Sequence, residues 1–216
     1  MKLLWSPRSP FVRKVDIVLD ELGATQSVER VETSVALTAV PAPAVLAINP
    51  LGKIPALELE DGSKLYDSPL ICEYLDVKFG PKLFPADLDQ RIRTLKIQSL
   101  CDGLIDILLL WRTELGRKSC ANSNITAGYE TKVRMGFAAL EEAMNPLSQS
   151  SFSIAEISAI CLIGQLEFRW PKTNWHSAFP NLAERVGRLE SRPSVKNNPS
   201  PNDPNASVAP FQFLED

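Results

Sequence analysis

Cysteine and histidine are scarce in this chain. Its 216 residues include four cysteines and a single histidine. The cysteines, Cys72, Cys101, Cys120 and Cys161, are widely spaced and form no C-x-x-C pair. This spacing argues against a structural zinc site and against a secreted domain held together by disulfides. Any Ser-His-Asp or multi-histidine metal mechanism would have to use His176, because the chain has no other imidazole.

The chain also lacks an excess of basic residues and a long hydrophobic run. It has 23 Lys and Arg against 26 Asp and Glu, a net charge of −3. This balance argues against nucleic-acid binding, because phosphate contacts need a basic surplus. The most apolar segment, from Leu104 to Trp111, is interrupted by Asp106 and is far shorter than the ~20 residues of a membrane span. The apolar stretch after Met1 is too short for a signal peptide. We therefore expect a soluble, reduced, cytoplasmic protein with no nucleic-acid or membrane partner.

Strand and helix signals alternate over the first 80 residues. Ser9-Pro10 and Ser68-Pro69 are typical helix starts, because serine accepts hydrogen bonds from the first N–H groups and proline is tolerated in the first turn. Asp61-Gly62, between two alternating apolar runs, is the strongest local signal for a hairpin. These patterns predict a small α/β domain with a mixed sheet. The predicted elements are a strand at Leu3–Trp5, a helix from Pro10 to Leu22, a strand at Val28–Val31, a hairpin of Ile54–Glu60 and Ser63–Tyr66, and a helix from Ser68 to Gly80.

Beyond residue 85 the strand signals vanish and helical periodicity takes over. Asp87 predicts the N-cap of a long helix that continues to Leu115. Ser153 and Glu156 form a capping-box pattern in front of a segment that is apolar nearly all round. We expect that segment to be the buried central helix of an all-helical domain. Two further helices are predicted at Thr131–Met144 and around Leu182–Leu189.

The composition of the chain changes near residues 80–86 and again near its end. The first change predicts two domains, residues 1–80 and residues 86–216. Residues 193–216 contain five of the 17 prolines, interleaved with Asn and Ser. We therefore expect an irregular tail without regular secondary structure.

The two Ser-Pro helix starts are candidate anion sites. A helix N-terminus presents unpaired N–H groups and about half a positive charge, so it attracts thiolates and carboxylates. A simpler interpretation, that Ser9 and Ser68 only cap their helices, stays open at this point. Between them, Gly52 and Pro55 stand directly before a strand. If the peptide bond of Ile54-Pro55 is cis, the backbone groups of Ile54 are free to pair with an extended peptide; a trans edge proline is the alternative.

Three segments in order resemble the glutathione-site segments of the cytosolic glutathione S-transferase family. The S-P-F-V-R-K start is similar to that of the serine-type classes and of bacterial relatives. Residues 1–80 resemble the family's thioredoxin-like domain, with its mixed four-stranded sheet, and the helical remainder resembles its all-α domain to about residue 195. The resemblance also implies a homodimer. The three segments are Ser9–Val15, Asn49–Leu57 and Asp67–Leu75.

By this resemblance glutathione is the co-substrate, and Ser9 is the catalytic residue that donates its hydroxyl to the sulfur and holds it as a thiolate. Lowering a thiol pKa from ~8.5 by two units is worth about 2.7 kcal/mol, within reach of one hydroxyl hydrogen bond and a helix N-terminus. Ser6 is the alternative partner of the sulfur, but Ser9 directly precedes the Pro-Phe pair of the family pattern. Phe11 of that pair counts among the glutathione-binding residues. Because position 9 is not cysteine, mixed-disulfide chemistry is disfavoured.

The resemblance also implies how the two halves of glutathione are held. Ile54 pairs its backbone with the cysteinyl part, and Pro55 is the family's cis proline. Ser68 and its helix N-terminus bind the γ-glutamyl carboxylate. Asp67 faces the γ-glutamyl amino group, at a position where the family more often has Glu.

Two further residues have competing interpretations. Lys53 either reaches the glycyl carboxylate or is a solvated turn lysine. Asp102 shares a helix face with Asp106, one turn away. In family members an acidic residue of this helix contacts the glutathione amino group across the dimer, which makes Asp102 a candidate; a hydrated stripe is the alternative.

The function implied is a glutathione S-transferase that conjugates the glutathione thiolate to a small hydrophobic electrophile in detoxification, without a metal. Trp111 and Arg112 are candidates for the border of the electrophile pocket, although a tryptophan at that spacing is often a core residue. Two other functions stay open. One is a non-catalytic ligand-binding or regulatory protein of the same fold, and the other is a glutathione-dependent peroxidase or reductase.

Overall fold

Short strands form a mixed sheet at the start of the chain. In the computed structural model, which describes residues 1–144, 152–202 and 211–214, they are β1 (Lys2–Trp5), β2 (Glu29–Glu32), β3 (Ala56–Glu58) and β4 (Lys64–Leu65). Their order across the sheet is β2-β1-β3-β4. β1 pairs in parallel with β2 and antiparallel with β3, and β4 pairs antiparallel with β3. The mixed four-stranded sheet and the Asp61-Gly62 hairpin confirm the predictions.

Helices flank this sheet. They are α1 (Pro10–Glu21), the short α2 (Pro43–Leu46) and α3 (Ser68–Phe79). α1 is the crossover between the parallel strands β1 and β2, which no tight turn can join. The Oγ of Ser9 accepts a hydrogen bond from the N–H of Val12 at 3.2 Å and so caps α1. Gly23, which follows α1, has a φ of +63°, the left-handed conformation that suits the end of a helix.

The rest of the described chain is helical. Its helices are α4 (Leu88–Leu115), α5 (Ser123–Ala143), α6 (Ile154–Arg169), α7 (Trp175–Ala178), α8 (Pro180–Glu190) and α9 (Pro193–Asn197). Every residue of α6 except Glu167 is buried, and Ser153 and Glu156 form the capping box at its start, as predicted. The predicted fold class, an α/β sheet domain followed by an all-helical part, is confirmed. Within the described residues every helix is too short or too polar to cross a bilayer.

α5 begins eight residues before the predicted start at Thr131. The Oδ1 of Asn122 accepts hydrogen bonds from two N–H groups of the first turn and so starts the helix. The early part of α5 contributes no buried residue before Val133. The predicted start was therefore wrong because it followed the apolar repeat, while a polar cap sets the true beginning.

The tail is more regular than predicted. α9 contradicts the expectation that residues 193–216 hold no regular structure. Pro193 occupies the first turn of this helix, where its missing N–H group needs no intrahelical partner. The rest of the prediction for residues 203–210, and the predicted helix end at Asn145-Pro146, lie outside the described residues.

Glu21 joins the C-terminal end of α1 to α9. Its carboxylate accepts two hydrogen bonds from Arg192, each 2.6 Å, and one from the hydroxyl of Ser194. Burial alone would raise the pKa of Glu21, but these hydrogen bonds and the charges of Arg192 and Lys82 outweigh it and lower the pKa to about 2. The ionised carboxylate therefore stabilises the contact between the sheet domain and the last helices.

We predict that Glu21→Gln has a lower free energy of unfolding than the wild type at neutral pH. This difference in free energy should become smaller as the pH falls. Because the pKa of Glu21 is lower in the folded chain than its ordinary 4.5, its stabilisation is complete above about pH 4.5 and is lost as the pH falls towards 2. Urea unfolding at pH 7, 5, 4 and 3 measures the difference. Glu60→Gln, at an exposed glutamate, is the control. A difference that stays constant across the series would contradict this assignment.

Candidate active site

Three segments meet at one end of the sheet. Leu4 of β1 pairs with Ala56 of β3, and Leu57 pairs with Leu65 of β4. In this register the last residues of β1, the first residue of β3 and the last residue of β4 share one end of the sheet. The turn that leads to α1, the loop that precedes β3 and the start of α3 are therefore neighbours. These are the segments that the sequence predicted to form a common site.

The turn between β1 and α1 contains both candidate serines. Ser9 is half-buried, and its Oγ accepts a hydrogen bond from Val12 while its hydroxyl proton stays available to donate. Ser6 is also half-buried, and its Oγ accepts a long hydrogen bond from the N–H of Arg8 at 3.4 Å. Of the two, Ser9 lies at the positive end of α1.

The loop before β3 is held from within. Asn49 is buried, and its Nδ2 donates to the carbonyl of Lys53 at 2.9 Å. Gly52 has a φ of +64°, and a Cβ there would stand 2.3 Å from a side-chain atom of Pro41, so glycine is required. The Ile54–Pro55 peptide bond is cis, the first of the two alternatives stated above. Both residues are buried at the bend itself.

Backbone groups are available on two sides of the site. Among the described residues, no backbone hydrogen bond uses the N–H or the carbonyl of Ile54. At the start of α3, the exposed Asp67 makes no side-chain cap, so the N–H groups of the first turn have no helical partner. Ser68, the first residue of α3, is buried. The Tyr66–Asp67 peptide bond is also cis.

A fully buried lysine connects three helices beneath these segments. The Nζ of Lys14, on α1, forms an ion pair with Asp102 of α4 and donates to the Oγ of Ser68 at 3.3 Å. It also lies 5.5 Å from the centroid of the Phe11 ring. We call Lys14, Ser68 and Asp102 the Lys14 cluster. It unites predicted site residues from both halves of the chain.

The sequence analysis quoted Lys14 within S-P-F-V-R-K but gave it no role. A signal for it exists, because Lys14 lies four residues after Pro10 and four residues before Val18, and both are buried. A lysine on the buried face of an amphipathic helix needs a partner, and the spacing alone identifies that face. Which acid would pair with it could not be read from the sequence, because Asp102 is 88 residues away.

Several charges surround this cluster. Burial raises the pKa of Asp102, the ammonium of Lys14 offsets part of this rise, and the negative charges of Asp67 and Asp106 add to it. Partial burial also raises the pKa of Asp106, while the positive charge of Lys53 lowers it. The Oδ2 of Asp102 has no hydrogen-bond partner within the described residues. The start of α3 therefore combines unpaired N–H groups with carboxylates, which suits a ligand group that carries both an anion and an ammonium.

The thiols of the chain lie outside this arrangement. Cys72, Cys101 and Cys161 are buried, and burial raises the pKa of each thiol. Cys120 is exposed, in the connection between α4 and α5. The described residues contain no group of acids, histidines and cysteines that could hold a metal ion. A buried neutral thiol is a poor nucleophile, so these three cysteines are structural.

We predict that Lys14→Met lowers the free energy of unfolding by about 3 kcal/mol, because it leaves the carboxylate of Asp102 buried without its partner. The double variant Lys14→Met/Asp102→Leu should recover at least about 1 kcal/mol, since it removes the stranded charge. Urea unfolding measures both. Lys96→Met, at an exposed lysine of α4, should stay within about 0.5 kcal/mol of the wild type. A Lys14→Met variant as stable as the Lys96 control would contradict the assigned ion pair.

Comparisons with known proteins cover nearly the whole chain. Residues 8–78 match the family model described as the glutathione S-transferase N-terminal domain. The chain is 33% identical over 208 residues to the uncharacterized GST-like protein YibF of Escherichia coli K12, an alignment that covers 93% of this chain and 99% of YibF.

Solved structures agree with these matches. A glutathione transferase family member from Pseudomonas fluorescens Pf-5, crystallised with bound glutathione, is 38% identical, with a TM-score of 0.87 over 93% of this chain and 99% of the other. A structure of a family member from the same organism with bound S-(propanoic acid)-glutathione is 37% identical, with a TM-score of 0.81 over 94% and 100% of the two chains. The mixed sheet, the helical half and the relatives aligned over 93% of the chain all point to the same family. This chain belongs to the glutathione S-transferase family.

Proposed function

We propose that the protein is a glutathione S-transferase that conjugates the glutathione thiolate to a small hydrophobic electrophile. The observation that carries the proposal is the match, over more than nine-tenths of the chain, to a family member crystallised with glutathione. In this proposal residues 1–80 form the glutathione-binding domain, and residues 86–216 supply the electrophile pocket. The described cysteines are free thiols, which suits a reducing cytoplasm and a detoxifying role there.

Glutathione would lie extended across the end of the sheet. The free backbone N–H and carbonyl of Ile54 pair with its cysteinyl residue, in the manner of an added strand. The hydroxyl of Ser68 and the first N–H groups of α3 receive the γ-glutamyl carboxylate. The exposed Asp67 faces the γ-glutamyl ammonium, and Asp102 contributes a second negative charge to it across the dimer. Lys53, exposed at the other side of the bend, meets the glycyl carboxylate.

The sulfur would then stand at the N-terminus of α1. Because the Oγ of Ser9 already accepts from Val12, its remaining proton points away from the helix and donates to the sulfur. This hydrogen bond and the positive end of α1 stabilise the thiolate and lower the pKa of the glutathione thiol. Phe11, half-buried in the first turn of α1, gives the site an apolar edge. The thiolate attacks the electrophilic carbon, and the protein contributes position and electrostatics.

Serine at position 9 favours conjugation over disulfide exchange, since the protein offers no thiolate at this place for a mixed disulfide. The relative with bound S-(propanoic acid)-glutathione supports the same choice, because that molecule carries a substituent on the glutathione sulfur. A peroxidase and a non-catalytic binder use the same glutathione site. Turnover with different acceptors separates them from a transferase.

The decisive experiment combines calorimetry and turnover. Glutathione is titrated into the folded protein, and the protein is then assayed with glutathione and a panel of aryl halides, epoxides and hydroperoxides. Turnover of halides or epoxides supports the transferase. Turnover of hydroperoxides alone indicates a peroxidase, and binding without turnover indicates a ligand-binding protein. No heat on titration with glutathione would refute the proposal.

We predict that Ser9→Ala lowers kcat/KM for conjugation by about 10²-fold or more, the usual effect of losing one oriented donor. Stability should fall by only about 1 kcal/mol, from the lost helix cap. Steady-state kinetics and urea unfolding measure the two effects. Ser6→Ala is the matched control and should retain most of the activity. Full activity in Ser9→Ala together with loss of activity in Ser6→Ala would make Ser6 the residue that donates to the sulfur.

We further propose that the protein is a homodimer that associates through the exposed face of α3 and the start of α4. Four large apolar side chains on this face are between 47% and 70% exposed. An ion pair between Glu73 of α3 and Arg91 of α4 lies among them. Apolar residues around a central pair of opposite charges form a surface that complements a second copy of itself. The four side chains are Leu70, Val77, Leu88 and Ile92.

We predict that the double variant Val77→Asp/Ile92→Asp is a monomer, because dimerisation would bury two new unpaired charges in each copy. Light scattering coupled to size exclusion should give about twice the 23.9 kDa of one chain for the wild type and one chain for the variant. Met135→Asp changes an equally exposed apolar residue on α5 and should stay dimeric. A monomeric wild type, or dissociation of the Met135 variant, would overturn this interface.

A further inference from the structure

The proposed glutathione contacts give one polar residue of the site, the buried Lys14, no role toward the ligand. Its Nζ donates to the Oγ of Ser68 at 3.3 Å and is paired with the carboxylate of Asp102. The same ammonium lies 5.5 Å from the centroid of the Phe11 ring. An ammonium has three donors and no acceptor, so the oxygen of Ser68 can only accept from it.

This contact fixes the direction of the Ser68 hydroxyl. A hydroxyl carries one proton and two lone pairs, and here one lone pair faces the ammonium of Lys14. The proton therefore points away from the lysine. Among the described residues, no protein acceptor takes this proton. Ser68 thus offers a hydroxyl with a set orientation and an unused proton at the first residue of α3.

The start of α3 provides further donors beside this proton. Asp67 makes no side-chain cap, so the first N–H groups of α3 have no helical partner. Donors gathered at the N-terminus of a helix suit a carboxylate. A hydroxyl that is oriented before the anion arrives needs no reorganisation on binding, and the hydrogen bond from the ammonium polarises it and makes it a stronger donor.

The charge of Lys14 has little effect at a distance. Asp102 is its ion-pair partner, so the two opposite charges largely cancel at the position of a ligand. The hydrogen bond to Ser68 is not cancelled in this way, because it acts between two atoms in contact. Lys14 therefore influences a ligand at the start of α3 through Ser68.

We propose that Lys14 is a positioning residue for the γ-glutamyl carboxylate of glutathione, and that it acts by orienting the hydroxyl of Ser68 toward that carboxylate. This inference rests on the proposed glutathione site and adds to it a residue that does not touch the ligand. It also gives α1 two tasks. Ser9, at the N-terminus of α1, serves the sulfur, and Lys14, farther along the same helix, serves the γ-glutamyl end.

The test compares two ligands that differ only in this carboxylate. They are glutathione and 4-aminobutyryl-cysteinylglycine, which keeps the amino group, so the effects of nearby acids on the ammonium are shared. Calorimetry gives a Kd for each, and the ratio of the two Kd values measures recognition of the carboxylate. The wild type should bind glutathione at least about tenfold more tightly, the usual effect of charge-assisted hydrogen bonds. Ser68→Ala should lower this ratio about fivefold, because it removes the donor.

The double variant Lys14→Met/Asp102→Leu removes the ammonium together with its partner charge, so the net charge of the site is unchanged. It should lower the ratio about threefold or more, since the hydroxyl of Ser68 loses its fixed orientation. Introduced into Ser68→Ala, the same double replacement should cause no further fall. Lys96→Met, at an exposed lysine of α4, is the control and should leave the ratio unchanged. Circular dichroism checks that each variant is folded, and Lys14→Met alone replaces the double variant if that one is not.

Three outcomes would overturn the inference. The first is a wild type that binds both ligands equally well. The second is a folded variant without Lys14 that keeps the full ratio. The third is an equal fall whether position 68 is serine or alanine, which would mean that Lys14 does not act through Ser68. Glutathione binding by the wild type separates this inference from the function on which it rests, because absence of that heat would refute the glutathione site itself.

Discussion

The buried ammonium of Lys14 is the contact on which the arrangement of the site depends. It lies in α1, and its partners are the first residue of α3 and an aspartate of α4. A charge taken out of water is tolerated only where opposite charge and hydrogen bonds replace its hydration, so these three helices are held in one relative placement. The start of α3, whose first N–H groups have no helical partner, is thereby tied to the helix that carries Asp102 and Asp106.

The contact with Lys14 also bears on the two interpretations of Asp102 that the sequence left open, a contact with the glutathione amino group and a hydrated stripe. One carboxylate oxygen of Asp102 pairs with Lys14, while the other has no partner within the described residues. Asp102 is therefore largely buried and ion-paired within its own chain, and its contact with glutathione stays a prediction. Through Lys14 it has a structural role that joins α1, α3 and α4.

Local sequence signals predicted most of the fold because local physics decides most of it. The capping box at Ser153, the cap at Asp87 and the Asp61-Gly62 turn each specify a boundary through a few neighbouring atoms. The two errors have the same origin. α5 starts at a polar cap without an apolar repeat behind it. α9 starts at Pro193, one of the prolines that predicted an irregular tail, although it stands in the first turn of a helix.

The residues of the candidate site also fall into those that local sequence predicts and those that it does not. Ser9, Ile54 and Ser68 were predicted because a helix start or a proline bend is visible in consecutive residues. The partners of Lys14 were not predicted, since its contacts join residues far apart in the chain, and only tertiary packing brings them together.

The proposed glutathione subsites and the proposed electrophile pocket therefore differ in how readily their residues can be substituted. The proposed glutathione subsites use backbone groups and first-turn residues that the fold itself requires. The proposed electrophile pocket draws instead on side chains of the helical half, around a framework in which buried Trp111 packs on Trp170. In the proposed function the choice of electrophile is therefore a property of a few helical side chains, set separately from the groups that activate glutathione.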